Sequence, residues 1–571
     1  MILPELNSIA KNVDYRIDFK GLNHNMYVGE GEFWWTENLC ATNYPVMTPR
    51  AARGYCITLD DPQGLCARGH LMYADDGKLY YGTPGTQIAY VGTCSAGEKQ
   101  FVGMGAYIII FPDCLKFNTS TGTLEQLNKT WSQTATATIT LCRLDGSDYN
   151  DVTASESAPT SPTNGSYWLD TSSTPHALKI YSAGSWQTIT TTYARISSTG
   201  IGSSFLENDA VQITGATDQV NGSHRIAARG NNYIVIPCVI DQTATVASGM
   251  KVERKVPEMD FVCELNNRLW GCSSSKHEIY CSKLGDPGNW NTLGTGAGDA
   301  WAATIGSDGD FTGCCSYGGS VLFFKEDMLH KVFGTKPGNF QITDTPIRGV
   351  QKGSHKSLRV VNESLLYKSR DGVVVYDGGN PMTISEGLGT GMYYNAAAGA
   401  QGDRYYISME DEEENWHLFV FNEAKGQWHR EDSTHATYFA ELNGQLYFLT
   451  AEGDLIAVQG RREEANGATL EDPFDWYAET GDMLVEQPDN KYVSRIQIRA
   501  SVSEGASMKI EAQYDSDGEW KTIYRRSAGR KASFTIPMVP MRCDHFRLRI
   551  SGHGHSAVYA ISKEIERGSE L

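Results

Sequence analysis

Seven times in this chain a run of alternating apolar residues meets a short polar turn and returns as a second alternating run. The repeats are "LCARGHLMYADDGKLYYGTP" from Leu65, "FVGMGAYIIIFPDCLKFNTSTG" from Phe101 and "FVCELNNRLWGCSSSKHEIYCSKLG" from Phe261. They continue as "FTGCCSYGGSVLFFKEDMLHKVFG" from Phe311, "SLRVVNESLLYKSRDGVVVYDGG" from Ser357, "GDRYYISMEDEEENWHLFVFNEAKGQW" from Gly402 and "FAELNGQLYFLTAEGDLIAV" from Phe439. Period-2 alternation around Asp, Gly, Lys or Ser is the signature of a β-hairpin. From Phe261 the units recur every ~40–50 residues, the spacing of propeller blades. One four-stranded blade cannot bury both of its faces, and radial packing of blades does so while leaving short edges. The expectation is an all-β chain built on a β-propeller of about six blades.

The period breaks between Phe101 and Phe261. A strand run, "ATATITLCRL", leads to the Ser/Thr/Pro-rich "DVTASESAPTSPTNG", an aromatic hairpin "SYWLDTSSTPHALKIYSAGSWQTI" and several further strands. Residues 130–255 therefore read as an all-β insertion in a propeller loop, since the entropy of closing a loop grows slowly with its length. Inserted loops of this kind carry binding surface more often than stability. Residues 1–129 then hold an N-terminal segment and the first blades, and 256–458 the remaining blades. A charged segment, "QGRREEANGATLEDP" from Gln459, opens 459–571, whose spaced strands predict a C-terminal β-sandwich.

The search for chemistry returns little. Cys543 and His545 in "RCDHFRLRI" stand two apart, which on a strand puts them on one face with Asp544 opposite, a poor arrangement for a nucleophilic set. "HGHS", His553–Ser556, lacks a third or fourth metal ligand nearby and reads as a turn. "YDSDGEW", Tyr514–Trp520, resembles the aspartate turns of sialidases but reads as a hairpin turn. There is no phosphate-binding GxxxxGK[ST], no GxGxxG after a strand and no HExxH. No catalytic, cofactor or metal site is expected. The thirteen cysteines form no paired CxxC set and fit free thiols in a reducing compartment. "MILPELNSIAKN" lacks the pattern of a secretory signal, and "YIIIF" is too short for a membrane span.

One charge run stands out: Glu410, Asp411, Glu412, Glu413 and Glu414, between "RYYIS" and "HLFVF". It lacks the spacing of a calcium loop and predicts a solvated hairpin tip. A ring of such tips would form an acidic constriction.

Three stretches together resemble a known family. They are "GEFWWTENLCATNYPVMTPRAARG", the pair "LNNRLWG" (Leu265–Gly271) and "SKLGDPGNW" (Ser282–Trp290), and the closing "RCDHFRLRISGHGHSAVYAISKEIERGS". In this order they look like the tail nozzle proteins, also called tubular tail or tail stabilisation proteins, of short-tailed bacteriophages. The insertion's "APTSPTNGSYWLDTS" also resembles hairpins of phage tail proteins. The resemblance implies a structural virion protein without enzymatic activity, assembled in the bacterial host cytoplasm. It implies a homo-oligomeric ring, usually a hexamer, below the adaptor and portal, which seats tail fibres or a tip protein and passes duplex DNA through its lumen without reading sequence.

Charge agrees with that expectation. The formal net charge is −19, and proteins that grip nucleic acid usually present a basic face. Duplex DNA carries one negative charge per ~1.7 Å of axis, so an acidic lining would centre it and leave it free to slide. Glu410–Glu414 are the expected channel-lining or gate residues, and the insertion is expected to contact fibres or neighbouring subunits. The competing readings are a tail-associated propeller glycosidase or carbohydrate-binding protein, which needs two facing carboxylates in a pocket, and a non-viral scaffold propeller.

Overall fold

A computed structural model describes residues 11–84, 88–294, 296–460, 469–483, 491–538 and 541–567. The chain is all-β, and its repeating element is the four-stranded blade. Two compact units are distinguished: residues 1–98, 324–329 and 345–571, and residues 99–323 and 330–344.

In the first unit three sheets run across their strands in chain order. These are Pro62–Arg68 to Ala89–Thr93, Arg359–Val361 to Met382–Thr383, and Tyr393–Gln401 to Gln427–Asp432. A fourth sheet takes Ala436–Leu442, Gln445–Thr450 and Asp454–Ala457 and is completed by Gly54–Thr58, from far earlier in the chain. The leading strands of these sheets pack side by side: 359–361 on 393–401, that on 436–442, and that on 62–68. In the second unit the sheet of Gln100–Met104 to Leu124–Gln126 packs through its leading strand on that of Phe261–Leu265 to Trp301–Thr304, which packs in turn on most of a third, Gly313–Tyr317 to Gln341–Pro346.

Among the described residues there are thus seven blade-type sheets, where about six were expected. Each of the seven hairpins lies in its own sheet. The sheet from Ala436 looks incomplete when read in chain order, because its fourth strand lies at Gly54–Thr58, itself edged by Thr469–Leu470. Alternation also gives way to continuous burial in the second strands. Arg268–Ser273 and Ser364–Ser369 are buried or nearly so along their whole length, because a blade is covered on both faces.

The insertion begins at Lys129–Ser132, which pairs antiparallel with Lys251–Arg254. Its strands surround a core that includes Ile139, Ile196, Ile213, Ile234 and Val252. The aromatic hairpin stands apart as a separate four-stranded sheet, Val152–Ser155 to Ser185–Thr188.

The C-terminal region departs from its expected outline. Its sheet recruits Lys11–Arg16, Gly21–Leu22 and Glu32–Glu37 from the N-terminus. The 24-residue strand Lys491–Tyr514 pairs with Ser556–Arg567 along its first half and Phe546–His553 along its second. The two halves of the region are therefore joined in one sheet through this strand and Lys521–Pro537, which pairs with it along most of its length. They share one core, with Trp476, Ile496, Ile510, Phe546 and Val558 fully or almost fully buried. Residues 461–468 of the charged segment that was expected to open this domain, and the N-terminal residues 1–10, lie outside the described residues. Among the described residues no helix is long and apolar enough to cross a membrane.

Candidate functional site

The acidic run forms the turn between Arg404–Asp411 and Trp416–Asn422, the second and third strands of their sheet. Its five carboxylates do two different jobs. Asp411 Oδ1 accepts the backbone N–H groups of Glu413 and Asn415, both at 2.9 Å, which closes the turn and leaves Glu414 at φ 64°. Asp411 Oδ2 faces His417 Nε2 at 2.8 Å. On the far side of the ring, Arg430 Nε donates to His417 Nδ1 at 2.9 Å. That donor fixes the imidazole proton on Nε2, directed at Asp411.

Burial pushes the His417 pKa down, more than Asp411 raises it. Burial also pushes the Asp411 carboxyl up, but hydrogen bonds from His417 and the turn's backbone outweigh it and hold the group below the usual range. Glu410 is tied by Asn395 Nδ2 at 2.6 Å. Glu412, Glu413 and Glu414 stand exposed. Two of the five acids thus build the tip, and three are presented by it.

The stretch Asn38–Arg53 builds a buried ionic brace that sequence reasoning missed. Arg53 Nη2 donates to Glu431 at 2.6 Å and Nη1 to Asp432 at 2.7 Å, while its backbone N–H reaches Glu471 at 2.9 Å. Arg50 grips both oxygens of Glu471 at 2.7 and 2.9 Å and donates from Nε to Asn38 Oδ1 at 2.8 Å. Burial alone would lower the Arg53 pKa, but Asp432 and Glu431 raise it. Burial raises Asp432, yet Arg53 and Thr434 bring it down to about 2. Between 378 and 418 residues separate Arg53 from its partners, so no local pattern in the sequence signals the brace.

"LNNRLWG" resolves into a two-residue turn. Asn266 and Asn267 take φ 55° and 59°, the left-handed pair that an Asn-rich hairpin turn supplies. Arg268 beyond it is 3% exposed and donates to the carbonyls of Ser282, Ala297 and Asp299 at 2.7–2.8 Å. "SKLGDPGNW" closes onto the same turn through Gly285 N–H to Asn267 O at 2.9 Å, and Trp290 Nε1 donates to Pro287 O. Both motifs are structural braces.

The weaker chemical candidates fall apart in space or in chemistry. Cys543 is fully buried and burial pushes its thiol up to about 11. The adjoining strand starts only at Phe546, so the expected strand face with His545 does not form. In "HGHS", His553 pairs with Asp475 while His555 meets Ser503. The Tyr514–Trp520 segment turns between two strands, with Asp515 and Ser516 at positive φ. Among the described residues no group of three His, Cys, Asp or Glu side chains is arranged to hold a metal ion, and none of the thirteen cysteines is joined in a disulfide.

One carboxylate pair, Asp14 and Glu30, borders a cavity of about 40 Å³, a volume close to that of a single water. Lys563 binds both and Arg16 joins them. Burial raises Asp14, but Glu30 and Lys563 outweigh it and hold it below its usual value. A glycosidase acid needs the opposite shift.

No protein family and no curated protein matches the chain. Among solved structures, BamB from Moraxella catarrhalis is similar over 71% of this chain and 96% of its own, at 11% identity and TM-score 0.33. PorZ, a surface component of the type-IX secretion system of Porphyromonas gingivalis, covers 88% and 82% at 10% identity and TM-score 0.26. An exo-β-1,3-galactanase from Phanerochaete chrysosporium covers 52% and 92% at 8% identity and TM-score 0.21. At these scores the likenesses carry no weight beside the sheet topology itself.

Proposed function

We propose that the chain is a structural virion protein: a subunit of the tail nozzle ring of a short-tailed bacteriophage. It extends the DNA-ejection channel and joins the adaptor and portal to fibres or a tip. The observation that carries this reading is where the family-like motifs fall. Asn38–Arg53, Leu265–Gly271 and Ser282–Trp290 are all spent on bracing blades, through buried arginines and left-handed turns. Rigidity is what a conduit wall requires, and a motif used for bracing is shared for its shape rather than for chemistry.

In this reading Glu412–Glu414 project toward the lumen. There their charge repels DNA only within about 8 Å at physiological salt, enough to centre a duplex without trapping it. The insertion, residues 130–255, provides contacts to fibres or neighbouring subunits. Particles carrying an insertion deletion should then assemble their tails poorly or lose fibres, and intact infectivity would remove that assignment. The assembly test is the mass of the purified protein with and without the adaptor ring. A discrete ring, six subunits being the expectation, supports the reading. A monomer at every concentration, absent from tail particles, overturns it in favour of a scaffold or carbohydrate-binding propeller.

A further inference from the structure

A cavity of about 310 Å³ opens over one face of the sheet that carries the acidic tip, at the small end of the range of ligand pockets. Its floor follows from strand periodicity. Arg404 pairs across with Asn422, Tyr406 with Val420, and Val420 with His429. Together with Glu431, these side chains alternate along three strands and share one face. Further along that face Tyr406 and Val420 pack with Phe439, Leu446 and Val458 of the next sheet. Where the packing ends, the Cys40–Asn43 and Pro49–Ala51 segments roof the gap.

The polar groups on this floor are unequally satisfied. Arg50 and Glu431 are consumed by the ionic brace. Arg404 is not: its polar contacts are the Tyr406 hydroxyl at 3.5 Å and Asp403 at 3.9 Å, both long for hydrogen bonds. His429 is 6% exposed and lines the cavity without a hydrogen bond to either ring nitrogen. The Arg404 side chain is 21% exposed and open to solvent. Buried polar side chains in native folds, however, nearly always have partners, so the unpartnered His429 imidazole, in a cavity also lined by Arg404, marks a place for a ligand.

We propose that this cavity binds a carboxylate group, held by the Arg404 fork with the Tyr406 hydroxyl and His429 as hydrogen-bonding neighbours. Charge selects the class. One available guanidinium matches one monoanion in bidentate geometry, whereas a phosphate dianion would sit uncompensated near Glu431. Burial holds His429 neutral, with its pKa brought down to about 4, so it serves as a dipolar partner and not as a second cation. The carboxylate comes either from a free small acid or from a glutamate side chain of a docking protein. The site does not depend on the nozzle assignment.

Calorimetric titration of the full chain tests it with three probes: propionate, the capped tripeptide acetyl-Ala-Glu-Ala-amide, and inorganic phosphate. One saturable site per chain for propionate, the tripeptide or both is expected, weakened at least about tenfold by Arg404→Gln. Tighter binding of the tripeptide identifies a protein side chain as the source, and binding of propionate alone identifies a free acid. Tyr406→Phe, which removes only the hydroxyl, gives a second reading should Arg404→Gln fail to fold, and is expected to weaken binding several-fold. Absence of saturation by both carboxylates, phosphate binding as tight as theirs, or unchanged affinity in the folded variants would overturn the proposal.

Discussion

At the scale of single residues, the ionic brace and the buried histidines decide how the protein responds to mutation and pH. Arg53→Gln would leave Glu431 and Asp432 buried without their main counter-charge. Breaking one side of such a cluster typically costs about 3–5 kcal/mol, so the denaturation midpoint should fall sharply. A change below about 1 kcal/mol would mean that water or Arg50 already satisfies the two acids. Histidine sets the acid response. Burial lowers the His429 pKa from 6.5 to about 4, so between these values the unfolded chain takes up the proton before the folded one does. Stability is full above pH 6.5 and is lost as pH falls toward 4, by about 3 kcal/mol at most for this group. His224, His417 and His435 shift in the same direction, each chiefly through burial. Urea unfolding at pH 7 and pH 5 should show the loss, and His429→Gln should flatten it.

At the scale of elements, turns and strand faces can be separated by substitution. Gly444 follows Asn443 in a hairpin turn at φ 81° with open space around it, so Gly444→Ala meets backbone strain alone, about 1–2 kcal/mol. Gly399 sits on a leading strand, where an added Cβ would come within 2.6 Å of Phe439 and 2.9 Å of Leu446. Gly399→Ala should cost about 1–3 kcal/mol through overpacking, and a high-resolution structure should show Phe439 displaced. The acidic tip divides similarly. Gln at 412, 413 and 414 should leave stability within about 0.5 kcal/mol, whereas Asp411→Asn should cost about 1–3 kcal/mol by weakening the turn and the His417 pair. The hairpins were legible because their alternation and their Asn, Asp and Gly turns are local. The outer strands were not: Met382–Thr383 and Leu124–Gln126 are too short to show a period. Gly54–Thr58 pairs with strands that follow it by about 400 residues, a partnership no window of sequence displays. The polar floor of the cavity was hidden for the same reason, since strand register alone sets Arg404 against Asn422 and His429 against Val420 on one face.

At the scale of the whole molecule, the composition and the repeats pointed to an all-β chain built of propeller blades, and seven blade-type sheets among the described residues bear out that fold class. The resemblance that suggested a phage nozzle rests on motifs that turn out to be braces, and it is the assembly that must decide. The most direct test is cryo-EM of the tail complex, or of the purified protein with its adaptor ring. The account predicts a ring of copies around a lumen wide enough for duplex DNA, with Glu412–Glu414 facing it. A monomer, or a ring whose acidic tips lie on the outer rim, would contradict it.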